Sequence, residues 1–492
     1  MFNFFKNKKT TEKIPPKHLV KDIKVLNYSQ GGGSITKNIF KKTRNELNTA
    51  DEDIGETKDL LMARSSHLYM NNAIGAAAIK KIRTNVIGRG LKVKPTIANE
   101  ILNLSQNEVD RIHKEISILW DMFVDECDIE NFSNFYQIQS LVLINQLVYG
   151  ETFVLLPLKK RVGQLFDLKI KLIDSTRCQN PSGAGENIKN GVEVSSDGEI
   201  IAYHFTKSNT SSETVRVEAF GKKSGRKNVL CVMEKERIGQ RRGVPLLAPV
   251  IELLYQLSEY TSTEITSASV AALFSVFITN ESEDTFTPEG ADPLTNIEKE
   301  EEQDKDYVVK MGNGTISELP PGKNITIASP NRNGAGFEEF TKTLLRQLGA
   351  ALEIPYEVLF THFTASYSAS RAALLEVWKM YLMRRTWLVS NFCKPIYEEF
   401  LDEIVSKGIL NLSGYENPLY RKCYQKAEWY GPVQGQLNPV QEVNASVTKV
   451  KAGISTIERE TRELNGGDFE ANNTQRHIES KKRGELKNES SI

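Results

Sequence analysis

Apolar residues return every fourth position through Met70, Ile74, Ala78, Ile82 and Val86, one stripe of a helix predicted over about Lys58–Ile87. Gly88 and Gly90 end it, as glycines end many helices. Residues 108–126 carry Ile112, Ile116, Leu119 and Phe123 at helical spacing, and residues 134–149 predict a third helix. Between 150 and 235 the pattern shortens. Thr152–Leu156, Leu168–Ile173 and Ile200–Phe205 are strand candidates, separated by Gly, Asn and Ser clusters such as Asn180–Gly185. Strands set among helices point to an α+β domain.

After Arg241-Arg242-Gly243-Val244-Pro245 a long helix is predicted over about Leu246–Thr279, roughly 50 Å at 1.5 Å per residue. Its stripe begins with Val250, Leu253, Leu254 and Leu257. Its second half, Ser267–Ser275, is rich in Ala and Ser, which suits close packing against neighbouring helices. Residues 280–306 are acidic and turn-rich and read as a solvated excursion. A β-like stretch follows, Tyr307–Ile327, then a helix over about Gly336–Leu352. Residues 363–382, FTASYSASRAALLEVWKMYL, are a Ser-rich loop running into a helix predicted over about Ser370–Lys407. Leu375, Trp378, Leu382, Val389, Phe392 and Ile396 mark its expected buried face, and Pro395 should kink it. Residues 438–485 read as a polar helical tail, and residues 1–58 as a polar arm containing Gly31-Gly32-Gly33-Ser34.

A chain of 492 residues is too long for one ordinary core, so several domains are expected. Lys+Arg and Asp+Glu each number 63, a balance that argues against a coat-type nucleic-acid binder. It is compatible with a protein past which DNA slides, because tight multivalent binding would hold a duplex still. Cys127, Cys178, Cys231, Cys393 and Cys423 are scattered, with no CxxC pair, and read as free thiols in a reducing compartment. The N-terminus MFNFFKNKKT lacks a signal-peptide core. The longest apolar stretch, Ala268–Ile278, is far short of the roughly 20 residues that span a bilayer, so no membrane is expected. The chain is read as cytosolic during its synthesis.

No cofactor, metal or catalytic motif is found. Pro321-Gly322-Lys323-Asn324 fails as a phosphate loop, because Asn stands where a hydroxyl residue is needed. Gly312-x-Gly314 and Gly88-x-Gly90 lack the third glycine of a dinucleotide fingerprint. There is no GxSxG elbow, no HExxH and no Cys/His zinc spacing. His362 lies near Ser366 and Ser368 but has no acidic orienting partner, so it reads as a polar loop residue. The chain is therefore not read as an enzyme.

Several segments in order resemble the lambda-type phage portal proteins. Arg64–Gly90 is similar to that family's first wing helix. Gly150-Glu151 with Phe153 is similar to its strand entry, and Arg242–Val250 to its RGVP-x-LAPV segment. Pro355-Tyr356-Glu357-Val358-Leu359 precedes the Ser-rich loop as in that family. Downstream come Asn391–Glu399, Trp429-Tyr430-Gly431-Pro432, Asn438-Pro439-Val440-Gln441-Glu442, Gly453–Thr456 and Gly466-Gly467-Asp468. Departures are Leu437-Asn438 in place of Ile-Asp, and Phe400 in place of Trp.

The resemblance implies an α+β portal fold with wing, helical stem, small clip and helical crown. The arm would be 1–54, the wing 55–245, the stem helix 246–279, the clip 280–335 and the second stem helix 336–359. A tunnel loop over 360–370 would follow, then a long kinked helix and wing return over 371–435, and a crown and tail over 436–492. It further implies a dodecameric ring of identical subunits at one capsid vertex, through which double-stranded DNA is packaged and ejected without sequence readout. The implied partners are the terminase large subunit, which would supply ATP hydrolysis, the head–tail connector proteins, and the major capsid or scaffold protein. Such a subunit would be assembled in the host bacterial cytoplasm and end in the virion. His362, Thr364, Ser366, Tyr367, Ser368, Ser370 and Arg371 become the implied DNA-channel residues, hydroxyls offering weak exchangeable hydrogen bonds and Arg371 one charge. For Tyr367 the alternative is packing at the loop base, and for Arg371 an ion pair at the helix start or a structural hydrogen bond. Two other readings of the whole chain are a soluble α+β enzyme, and a ring or filament scaffold unrelated to DNA.

Overall fold

The structure is a computed structural model and describes residues 38–40, 47–273, 277–280, 323–326, 335–363, 366–435 and 438–489. Most of the expected clip and most of the arm lie outside the described residues.

Thr49 starts the first helix, α1 (Ala50–Asn71). Its hydroxyl accepts from the Glu52 N–H, and the Glu52 carboxylate accepts from the Thr49 N–H at 2.9 Å, a reciprocal cap. The helix thus begins eight residues before the expected Lys58, and residues 50–54 belong to it rather than to the arm. The single helix expected to Ile87 is two. At Asn72 the backbone leaves the helical region, and the Asn72 side chain accepts from the Gly75 N–H at 2.8 Å, capping α2 (Ala73–Val86). Met70 consequently points out, 69% exposed, whereas Ala78, Ile82 and Val86 are buried. Gly88 and Gly90 follow with φ of 58° and 113°. A side chain on Gly90 would lie 2.3 Å from the Tyr136 ring.

The chain continues through β1 (Lys92–Pro95), α3 (Asn99–Leu102), α4 (Gln106–Glu126) and α5 (Phe135–Tyr149), the last two close to expectation. Strands β2 (Glu151–Leu155), β3 (Lys171–Ile173), β4 (Ile188–Lys189), β5 (Val192–Val194), β6 (Ile200–Thr206), β7 (Thr214–Glu218) and β8 (Val229–Met233) form two antiparallel sheets. Their orders are β3-β2-β8 and β4-β5-β6-β7. The strand expected over Leu168–Ile173 is shorter, because Leu168 and Ile170 make only single bridges, to Leu158 and Asp128. Phe153, Ile173, Val192, Tyr203 and Phe205 fill a small core between the sheets.

A short 3-10 turn, Ala248–Val250, leads into α6 (Ile251–Leu273). Val250, Leu254 and Leu257 are buried as expected. The helix was expected to reach Thr279, but Phe277–Asn280 is strand β9, paired antiparallel with β10 (Lys323–Thr326). Phe277, Ile278 and Thr279 are aromatic or β-branched and favour a pleated strand. At 1.5 Å per residue α6 is therefore about 35 Å long.

Next come α7 (Ala335–Ala351), α8 (Tyr356–Phe360) and α9 (Tyr367–Leu388). A π-helical turn, Val389–Cys393, joins α9 to α10 (Lys394–Ser406), so the break expected at Pro395 takes this form. The Lys394 N–H reaches back five residues to the Val389 carbonyl. The extra residue rotates the two halves against each other by about 100°. Phe392 and Ile396 are buried as expected, but upstream the buried set is Val377, Met380, Tyr381 and Leu388. Leu375 and Leu382, expected inside, are 47% and 42% exposed.

After α11 (Pro418–Tyr424), β11 (Ala427–Tyr430) pairs with β1, Lys92 opposite Tyr430 and Lys94 opposite Glu428. The main core thus closes a domain built from distant segments. Trp120 sits in it with edge-on contacts to Phe135, Tyr397, Phe400 and Trp429 at ring distances of 5.1 to 5.9 Å. The helical tail is α12 (Pro439–Lys451), α13 (Ile457–Asn465) and α14 (Phe469–Glu489). Helices alternating with antiparallel sheets make the chain α+β, as expected.

Candidate functional site

The Ser-rich segment is a bridge between α8 and α9. Its near end is tied to the large domain. Thr361 adopts a left-handed φ of 56°, and the His362 N–H donates to the Glu357 carbonyl at 3.0 Å, closing α8. Lys81, on α2, donates to the Val358 carbonyl and to the Thr361 hydroxyl, both at 2.6 Å. A cation there also meets the negative end of the α8 dipole. Burial holds the Lys81 ammonium below its ordinary pKa. Nothing in the sequence around Lys80-Lys81 distinguished this residue.

The far end is set by Ser366. Its hydroxyl accepts from the Ala369 N–H at 3.4 Å and its carbonyl from the Ser370 N–H at 3.0 Å. With Ser366 as cap, α9 begins at Tyr367, so Tyr367, Ser368 and Ser370 lie on the first helical turn rather than in a loop running to 370. Ser368 is exposed and Ser370 half-buried, and His362 is exposed. Thr364 and the Tyr367 side chain lie outside the described residues. Arg371 is exposed, and among the described residues its guanidinium has no ion pair, unlike the expected alternative of a pair at the helix start. It borders a 330 Å³ cleft between α9 and the tail helices, shared with Leu375, Gln434, Glu442, Lys449 and Glu463.

Arg385 locks α9 in place. It donates to the Asn85 and Val86 carbonyls at the end of α2, both at 3.0 Å, and to the Pro432 carbonyl at 2.7 Å. Its guanidinium also lies 5.7 Å from the Trp378 ring. With only carbonyl acceptors, burial pulls its pKa down to about 10. The bridge thus hangs from two fixed points, Lys81 on one side and Arg385 on the other.

Two motif segments interlock behind this frame. Gly150-Glu151 and Arg242-Gly243 lie back to back, and the Gly243 N–H donates to Glu151 Oε2 at 2.8 Å. Arg242 sits over the Phe153 ring at 5.5 Å. Both segments stand out in the sequence, but nothing in it indicates that they bind each other. The five cysteines are unpaired, and burial raises the thiol pKa of Cys127, Cys178, Cys231 and Cys393. Among the described residues no group of three His, Cys, Asp or Glu could hold a metal ion. Among them, too, no helix is long and apolar enough to cross a membrane.

Compared with known families, residues 36–385 match the family described as phage portal protein, lambda family. The chain belongs to the lambda family of phage portal proteins. Portal proteins of this family are structural components rather than enzymes. The chain is 22% identical over 424 residues to portal protein B of Escherichia phage lambda, covering 81% of this chain and 79% of that one. The portal protein of Escherichia phage N15 matches with the same identity and coverage. Among solved structures, a chain of the virion of a native gene transfer agent particle is similar over 82% of this chain and 90% of its own, at 12% identity and a TM-score of 0.48. A chain from the neck of the native particle, computed with C12 symmetry, is similar over 83% and 97%, also at 12% identity and a TM-score of 0.48.

Proposed function

We propose that this chain is the subunit of a dodecameric ring at one vertex of a phage capsid, through which double-stranded DNA is packaged and later ejected. The observation that carries this is membership of the portal family across the segment that includes the Ser-rich bridge. The remainder fits. Helices α6 and α7 run beside each other, with Tyr260 packed on Phe337 and Phe340 at 5.4 and 5.3 Å. The β9–β10 pair brings together the two ends of the intervening segment. A protruding clip flanked by two stem helices has this layout, with α6 as the first stem helix and α7 as the second. Residues 262–269 of α6 are mostly exposed and include the small Ser262, Ser267, Ala268 and Ser269, ready to pack against copies around an axis.

In this reading residues 50–245 and the return through α9–α11 and β11 are the wing, and α12–α14 the crown. The bridge between α8 and α9 faces the channel. His362, Thr364, Ser366, Tyr367, Ser368 and Ser370 offer exchangeable contacts to phosphates, and Arg371 one charge. One cation per subunit holds DNA weakly enough for a separate terminase motor to move it. The clip docks that motor and afterwards the head–tail connector proteins, and the wing meets the major capsid or scaffold protein.

Electron microscopy of the purified chain tests the ring: a closed ring with an axial hole of duplex width is expected, and solitary subunits at high concentration would refute it. Deleting residues 361–366 tests the bridge. Rings should still assemble while DNA packaging or retention falls; unchanged packaging removes the bridge's role.

A further inference from the structure

The tail helices carry almost no buried apolar surface of their own. Among the described residues, none beyond Trp429 belongs to either hydrophobic core, and the buried residues past Tyr430 are Ser446 and Glu460. Val440, Val443, Val447, Ile454 and Ile457 are exposed. Val433, Val450, Leu464 and Phe469 are half-buried but belong to neither core, so apolar packing gives this unit little hold on the large domain.

Its attachment to the β1–β11 pair is ionic. Lys94, on β1, donates to Glu458 on α13 at 2.5 Å and lies 3.7 Å from Glu470 on α14. Arg462, on α13, donates to Glu428 on β11 at 2.5 Å and to Glu458 at 2.7 Å, and its guanidinium lies 5.6 Å from the Tyr430 ring. Positive and negative groups therefore alternate as Lys94, Glu458, Arg462 and Glu428, and the two ends are register partners on the strand pair. The cations are the shielded members, their side chains 17% and 21% exposed, while Glu428 and Glu470 are 59% and 78% exposed. Burial disfavours the Lys94 charge, but Glu458, Glu470 and Asp468 outweigh it and raise its pKa.

We propose that this network is an ionic-strength-sensitive latch: it fixes the angle of the helical unit on the large domain, and α13 and the start of α14 detach and open when salt screens it. Exposed ion pairs contribute little singly, and the screening length falls from about 10 Å at 0.1 M salt to about 3 Å at 1 M. A unit with an apolar core would tolerate that change; this one has no such reserve. The inference stands independently of the channel reading.

Hydrogen exchange of the full chain, read in peptides from α13 and the start of α14 at about 0.05 M and about 1 M NaCl, tests it. Exchange there should speed about tenfold at high salt, while α5 peptides stay protected. Lys94→Gln and Arg462→Gln should each reproduce the fast exchange at low salt and abolish the salt response. The double variant should add little to either, as members of one network do. Salt-insensitive exchange in the wild type, additive effects of the two substitutions, or equal loss of protection in α5 would each overturn the latch.

Discussion

Arg242 Nε and Glu151 Oε1 lie 2.7 Å apart in the protein interior, two side chains separated by 91 residues of sequence and almost wholly withdrawn from solvent. Arg242 spends its remaining donors on the Ser175, Cys178 and Asn190 carbonyls. Burial works against the Arg242 charge, yet the Glu151 carboxylate outweighs it and raises the guanidinium pKa. Removing one partner leaves the other charged and unpaired. Glu151→Gln should therefore destabilise the chain by about 3–5 kcal/mol in denaturant unfolding. Replacing both by Leu and Met should cost clearly less than the sum of the two single changes.

The same junction depends on two glycines. A side chain on Gly243 would lie 2.0 Å from the Gly150 carbonyl oxygen, and one on Gly150 would lie 2.5 Å from the Val244 backbone with φ at +88°. Neither clash is with a flexible side chain. Gly243→Ala should give mostly insoluble protein, whereas Gly435→Ala, with nothing within 4 Å, should match the wild type in yield and melting temperature.

On α9 the π turn decides which residues face the core. Met380 is buried, so Met380→Ala should cost about 2–5 kcal/mol. Leu382→Ala on the opposite face should stay within about 0.5 kcal/mol in a dissociated subunit. Equal losses at the two positions would mean that the straight-through stripe Leu375, Leu382, Val389 is the buried one after all.

That contrast marks how far local pattern carries. Helices α4, α5 and α7 and strand β2 were legible because each keeps one period from cap to cap, with capping boxes at Ser105–Glu108 and Asn134–Gln137 to announce two of them. The π turn was not, since one inserted residue changes phase without changing composition. The break at Asn72 was not either, because it depends on Ser258, which accepts from the Asn72 amide at 2.7 Å across 186 residues. For the candidate site, the Ser-rich character of 363–370 was visible locally. Its anchors Lys81 and Arg385 act through carbonyls of distant helix ends, contacts that no spacing rule encodes.

His113 supplies a pH dependence. Its Nε2 accepts from the Ile97 N–H at 3.2 Å, so protonation removes an acceptor. Burial lowers its pKa first, Lys94 adds to that, and Asp110 and Glu470 oppose it. The folded state thus binds this proton less readily than the unfolded chain, whose histidine titrates near 6.5. Stability should be full above that value and decline as the pH falls below it. The wild type should lose more urea resistance between pH 7.5 and 5.5 than His113→Gln; identical losses would exclude His113 as the cause.

Arg371 is the remaining test of the channel reading. Its exposed guanidinium has no ion pair among the described residues, so Arg371→Gln removes no stabilising contact seen in the subunit. Melting temperature and ring formation should match the wild type. If the residue meets the DNA backbone, every subunit loses one phosphate contact. Retention of packaged DNA should then fall, and its salt dependence should flatten, because fewer counterions are released per ring. Arg371→Glu should reduce retention further, since it sets a negative charge against the phosphates. A packaging assay that separates filled from leaking particles distinguishes these outcomes. Equal retention by both variants at all salt concentrations would place Arg371 away from the DNA.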